Sequence, residues 1–126
     1  MFSHATRLRW SGQVNGYGID IAGLVELSTP VGVPGGAELI RLVDVFFEDS
    51  EEEKPVARQA VIDALGPESF FDAATVLGNF EMMNRVAEGT GIPIPPQAVD
   101  REAQLMKILG LYDILKSQQH QASSLD

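Results

Sequence analysis

The chain has 126 residues, 44% of them hydrophobic and 21% charged, and its 18 acidic and 9 basic side chains give a net charge of −9. This length and composition fit one globular domain with its own core. The excess of acid disfavours binding to nucleic acid or to an anionic membrane surface. Because the chain has no cysteine, disulfides, thiolate catalysis and cysteine-based zinc sites are excluded.

The longest apolar stretches, Ile19–Leu27 and Leu105–Leu115, are each interrupted by charged residues. Both are shorter than the ~20 apolar residues that a membrane span needs. We therefore expect a soluble, cytoplasmic protein that has no membrane partner and no nucleic-acid partner.

Residues 1–35 are rich in glycine and hold half of the 12 glycines of the chain. Alternation of apolar and polar residues from Leu8 to Val14 is typical of a short strand, whereas Ile21 and Leu24 fit one or two helical turns. We predict an irregular arm over residues 1–35 with a short helix, held in place by Trp10 and the Ile/Leu cluster.

From Gly36 the spacing of apolar residues becomes helical. One stripe, repeating every three or four residues, predicts a helix that ends near residue 49; its members are Leu39, Ile40, Val43, Phe46 and Phe47. Glu51–Glu53 form an acidic connector, and Pro55 fits the first turn of a second helix. The residues that we expect this second helix to bury are Val56, Ala60, Val61, Ala64 and Leu65.

Gly66 and Pro67 mark the end of the second helix and the first turn of a third. The third helix is predicted over residues 67–88 and is apolar around most of its circumference, which is typical of a central, buried helix. The prolines among residues 92–96 predict an extended connector. A last helix is predicted over residues 97–116, followed by a polar, flexible tail over residues 117–126.

Residues 56–94 (VARQAVIDALGPESFFDAATVLGNFEMMNRVAEGTGIPI) resemble the closing helices of the carboxymuconolactone decarboxylase / alkylhydroperoxidase-D-like superfamily. The resemblance lies in the helix that ends at Leu65-Gly66, in the following helix and in its exit at Gly91-Ile92-Pro93. It implies an all-α, alkylhydroperoxidase-D-like domain of four to five main helices, here with an irregular N-terminal arm, that assembles into homo-oligomers.

The peroxidase branch of that family works through a Cys-x-x-Cys pair, assisted by a nearby Glu and His. Since this chain has no cysteine, the resemblance implies no thiol peroxidase activity, and no catalytic residue is carried over. The decarboxylase branch needs acid and base groups instead of thiols, so an activity of that type stays open.

One polar group interrupts the apolar third helix and is the candidate ligand-binding site: Glu81, Asn84 and Arg85. Glu81 and Arg85 are four residues apart and can form an ion pair on one helix face. In a functional interpretation, Arg85 holds a small carboxylate ligand and Glu81 acts as a general base. In a structural interpretation, the pair only fixes helix packing.

We predict no metal site and no cofactor. The two histidines, His4 and His120, lie near opposite ends of the chain and have no metal-ligand spacing. The acidic run that ends at Glu53 lacks the ligand spacing and glycine of a calcium loop. The glycine pairs at Gly16-Tyr17-Gly18 and Gly35-Gly36 lack the context of a phosphate-binding loop and are interpreted as turns.

The last predicted helix is apolar over a wide face between Leu105 and Leu115, which predicts a homo-oligomer built around it. Three functions remain possible from the sequence. The first is an oligomeric binding or scaffold subunit without thiol peroxidase activity. The second is a cofactor-free decarboxylase or isomerase that acts on a small carboxylate, and the third is a partner subunit of a separate catalytic chain.

Overall fold

In the computed structural model, residues 2–26, 28–48, 50–92, 96–101 and 103–123 are described. These residues form helices and connecting turns and contain no strand, so the all-α prediction is confirmed. The α-helices are α1 (Phe2–Asn15), α2 (Gly36–Phe47), α3 (Glu53–Leu65), α4 (Pro67–Thr90), α5 (Pro96–Arg101), α6 (Ala103–Ile108) and α7 (Tyr112–Ser123). A short 3₁₀ helix covers Ile21–Leu24.

The helices fall into two compact units. Residues 33–92, called the central unit below, contain α2, α3 and α4. Residues 1–32 and 93–126, called the terminal unit, bring together both ends of the chain.

The core of the central unit is small and lies where α3 packs against its two neighbours. Its buried side chains are Leu42, Val45, Ala57 and Val61. Leu65 and the first part of α4, through Phe70 and Ala73, pack against this cluster. Since few large side chains are fully buried, each contributes a large share of the stability of the unit.

The predicted start of α2 at Gly36 and the position of Pro55 in the first turn of α3 are confirmed, and α2 ends at Phe47, two residues before the predicted end. The predicted buried stripe on α2 is right for Leu39, which packs against the core. It is wrong for Val43 and Phe46, which are each 40% exposed, because the helix turns Leu42 and Val45 inward instead. On α3 the prediction is right for Val61, which is fully buried, and wrong for Val56, which is 70% exposed. Ala57, one residue further along, takes its place in the core.

The connector between α2 and α3 is acidic and is anchored by Arg41. The guanidinium donates to Glu48 at 2.9 Å and pairs with Glu53, so one cation joins the end of α2 to the start of α3. Lys54 pairs with Glu51, and this hydrogen bond, together with the lysine charge, lowers the pKa of the Glu51 carboxyl.

Gly66 lets the chain reverse between α3 and α4. Its φ of 90° is positive, as a glycine position requires, but its ψ of 163° differs from the left-handed helical geometry that the sequence predicts. Pro67 then occupies the first turn of α4, as predicted. At the other end, Gly91 has a left-handed φ of 65° and ends the helix with its N–H directed at the last turn.

The prediction that the third helix is central and buried is wrong. None of the 24 residues of α4 is buried, because α4 packs along α3 and presents the rest of its surface outward. By length, α4 spans about 36 Å and the 13 residues of α3 about 20 Å. The C-terminal part of α4 therefore extends past the helix on which it packs.

In the terminal unit, the irregular arm predicted over residues 1–35 is wrong in its first part, because residues 2–15 form α1 and not an extended segment. Trp10 does not dock the segment, since it is 66% exposed. Ala5 is buried instead, in a cluster with Ile21 and Leu109. Gly12 lets the Ile19 side chain come close to α1, because a Cβ at residue 12 would overlap that side chain.

The single last helix predicted over residues 97–116 is also wrong. The chain forms α5, α6 and α7 there, and Gly110, at a positive φ of 66°, turns it between α6 and α7. Lys116 on α7 donates to Asp100 on α5 at 2.5 Å, and this hydrogen bond raises the pKa of Lys116. Helix α7 continues to Ser123, into the segment predicted as a flexible tail; residues 124–126, like 93–95 of the predicted extended connector, lie outside the described residues.

Candidate functional site

The three predicted site residues, Glu81, Asn84 and Arg85, all lie in the C-terminal half of α4. The Arg85 side chain is 69% exposed and lies 3.8 Å from Glu81 and 2.7 Å from Glu88. Asn84 is exposed beside them. The structure thus forms the predicted Glu81–Arg85 pair and adds Glu88 as the nearer partner of the guanidinium. A network this open to water is typical of a solvated helix surface.

The more unusual feature of α4 is an exposed stripe of three large apolar side chains and three polar ones. It runs along the outward side of the helix and consists of Phe71, Thr75, Asn79, Met82, Val86 and Thr90. Phe71 is 71% exposed, Met82 59% and Val86 56%. Large apolar side chains that follow one another on a surface mark an interaction site more often than scattered ones do.

Two of the three polar members of the stripe, the threonines, are less polar than their residue type indicates. The Thr75 hydroxyl donates to the carbonyl of Phe71 at 2.8 Å, and the Thr90 hydroxyl donates to the carbonyl of Val86 at 2.7 Å. Because both hydroxyls are bonded within their own helix, each threonine can offer its methyl group to a neighbour. The Glu81, Arg85 and Glu88 network falls on a different face, since each residue advances by about 100° around the helix.

The sequence analysis predicts a central, buried third helix, which would bury Phe71 and Met82. The signal that it missed is the spacing of the stripe, because residues 71, 75, 79, 82, 86 and 90 follow a single line along the helix. That line differs from the one through Phe70 and Ala73, which faces the core of the central unit.

The helix predicted to carry the oligomer interface, Leu105–Leu115, is not continuous in the structure. It is split between α6 and α7. Met106 and Leu109 are buried within the chain itself, with exposed fractions of 0% and 5%. The premise that this face needs a second subunit is therefore wrong for these two residues, because the fold already covers them.

Within the described part of the chain, no helix is long and apolar enough to cross a membrane. The same residues contain no group of three or more acidic or histidine side chains placed to hold a metal ion. Comparisons with protein-family models, with curated proteins and with solved structures find no match to this chain.

Proposed function

We propose that this protein is an oligomeric, all-α binding or scaffold subunit, and that α4 forms its interface with a second copy of the chain. The single observation that carries the proposal is the exposed stripe from Phe71 to Thr90. The alkylhydroperoxidase-D-like fold is part of the proposal, supported by the resemblance of residues 56–94 and by the all-helical architecture.

The spacing of the stripe supports a second copy as the occupant. Its members are separated by 4, 4, 3, 4 and 4 residues, a series that reads the same in both directions. Two antiparallel α4 helices related by a two-fold axis would therefore match stripe to stripe, with Phe71 opposite Thr90 and Thr75 opposite Val86. This is the self-complementary pattern that a two-fold interface requires.

The charges on α4 are compatible with the same pairing. In that register Asp72, which lies beside the stripe, would be opposite Gly89 and not opposite another acidic side chain. The central unit as a whole has 12 acidic and 4 basic residues. Two copies therefore repel each other at long range, and an apolar contact has to overcome that repulsion.

The exposed ion network around Arg85 favours this function over the decarboxylase or isomerase alternative. A carboxylate clamp is expected inside a concave, largely enclosed site. Arg85 instead lies on an open helix surface and is paired with Glu88.

The test is the oligomeric state of the full chain, measured by sedimentation velocity at micromolar concentration. We expect self-association that weakens at least tenfold in Met82→Lys/Val86→Lys, because each lysine would be buried against apolar groups of the second copy. Val14→Lys is the matched control, since Val14 is also an exposed valine near the end of a helix, at 64% exposure, and it should associate as the parent does.

The salt dependence of association distinguishes a second, acidic copy of the chain from a basic protein as the partner of the stripe. Screening reduces the repulsion between two acidic copies, so self-association should strengthen as salt is added. A monomeric parent chain at every salt concentration would contradict the proposal, as would an equal loss of association in Val14→Lys.

A further inference from the structure

The terminal unit contains a cavity of about 320 Å³ between α1, the 3₁₀ helix, α5 and α6. This volume lies at the lower end of the range for small-molecule sites, about 300–1,000 Å³. The cavity is independent of the α4 stripe, which belongs to the central unit.

Among the described residues that line the cavity, the two charged ones are arginines. Arg9 comes from α1 and Arg101 from the end of α5, and the amide of Gln104 on α6 lies beside them. Among the residues that the structure describes, Arg9 has no hydrogen-bond or ion-pair partner, whereas Arg101 already has an interaction within the protein. Two arginines that line one cavity favour an anion, above all an oxyanion, because arginine forms paired hydrogen bonds with this class of ligand.

The rest of the lining is mainly aliphatic and comes from Ile21, Leu105 and Ile108. Ile21 is buried, and Leu105 packs against the cluster that contains it. One ligand can satisfy both parts of the cavity only if it has a charged head and an apolar body.

We propose that this cavity binds a small amphipathic oxyanion, with its head on Arg9 and Arg101 and its body against Ile21, Leu105 and Ile108. A carboxylate and a phosphate monoester share this chemistry. The size of the cavity restricts the body to a short chain or a single ring.

Calorimetric titration of the full chain tests the proposal with four ligands. Hexanoate and hexyl phosphate carry both parts of the proposed ligand, whereas hexanol lacks the charge and acetate lacks the apolar body. We expect hexanoate or hexyl phosphate to bind at least tenfold more tightly than hexanol and acetate, and the tighter of the two identifies the head group. Binding of hexanol as tight as that of both anions would overturn the proposal, as would the absence of binding by both.

Variants locate the site. Arg9→Gln and Arg101→Gln should each weaken the binding of the preferred anion at least tenfold. Arg7→Gln is the matched control, because Arg7 is also an exposed arginine on α1 but does not line the cavity. An equal loss of affinity in Arg7→Gln would mean that the anion responds only to overall charge and would contradict the assignment. Trp10 is the only tryptophan of the chain and follows Arg9, so its fluorescence gives a second readout near the site.

Discussion

Replacing Leu42 by alanine is expected to lower the free energy of unfolding of the central unit by about 3 kcal/mol. Leu42 is 1% exposed and is the largest side chain in a core of four buried residues. Its truncation removes apolar contacts and leaves a cavity between α2 and α3 that so small a core cannot refill. Because typical domains have only about 5–15 kcal/mol of stability in total, this loss is a large fraction of what holds the unit folded.

Urea denaturation followed by far-ultraviolet circular dichroism measures this change, and hydrogen exchange of peptides from α2, α3 and α4 assigns it to the central unit. Two valines on α2 provide a matched control. Val45 is fully buried and Val43 is 40% exposed, so we expect Val45→Ala to cost about 2 kcal/mol and Val43→Ala less than about 1 kcal/mol. If Val43→Ala cost more stability than Val45→Ala, the buried face of α2 would be the one that the sequence predicts.

That comparison shows why the sequence alone chose the wrong face of α2. The helix has apolar residues at positions 39, 40, 42, 43, 45, 46 and 47, so a stripe through Leu39, Leu42 and Val45 and one through Ile40, Val43 and Phe47 are both periodic. Periodicity indicates that a helix is amphipathic, but it cannot decide between two apolar faces. Which face is buried depends on the partner helix, and α3 contacts the first.

Helix bounds were predictable where local chemistry determines them. Gly66, Pro67 and Pro55 act through backbone restrictions that are present in any fold, and the structure has the helix boundaries where they predict them. The segment before Gly36 was not predictable in this way, because α1 is mostly polar and contains Gly12, a weak helix former. Its helix depends on tertiary contacts such as the burial of Ala5.

The two candidate sites also differ in how far the local sequence predicts them. Glu81 and Arg85 are four residues apart on one helix, so their pairing can be derived from spacing alone. Arg9 and Arg101 are separated by most of the chain, and nothing in their local sequence relates one to the other. Only the packing of the terminal unit brings them to one cavity.

The second large effect is expected at Gly32, in the loop that closes the terminal unit. Its φ is 82°, and a Cβ built on it would overlap the carbonyl oxygen of Gly18. The same loop is held by a hydrogen bond of 3.0 Å from the Asp20 N–H to the Val31 carbonyl. Gly32→Ala therefore has to change the backbone where the loop is fixed, and we expect a loss of about 3 kcal/mol.

Substitutions at two other glycines of the terminal unit distinguish the two possible causes of that loss, the positive φ and the close backbone contact. Gly16 has a similar φ of 77° but open space around its Cβ position, so Gly16→Ala should show only the conformational cost, about 1 kcal/mol. Gly18 has no positive φ, and the space around its own Cβ position is open, so Gly18→Ala should be neutral or slightly stabilising because it restricts the unfolded chain.

Urea denaturation followed by Trp10 fluorescence measures all three variants, since Trp10 lies in the terminal unit. If Gly32→Ala and Gly16→Ala lost the same stability, positive φ alone would explain both, and the close approach of Gly18 to Gly32 would be wrong. If the loss is larger at Gly32, as we expect, the loop is fixed by backbone contact as well as by φ. The Asp20 side chain, which accepts a hydrogen bond of 3.0 Å from the N–H of Ala22 at the start of the 3₁₀ helix, would then be positioned by that contact. Through Ile21, the same contact would set one wall of the two-arginine cavity.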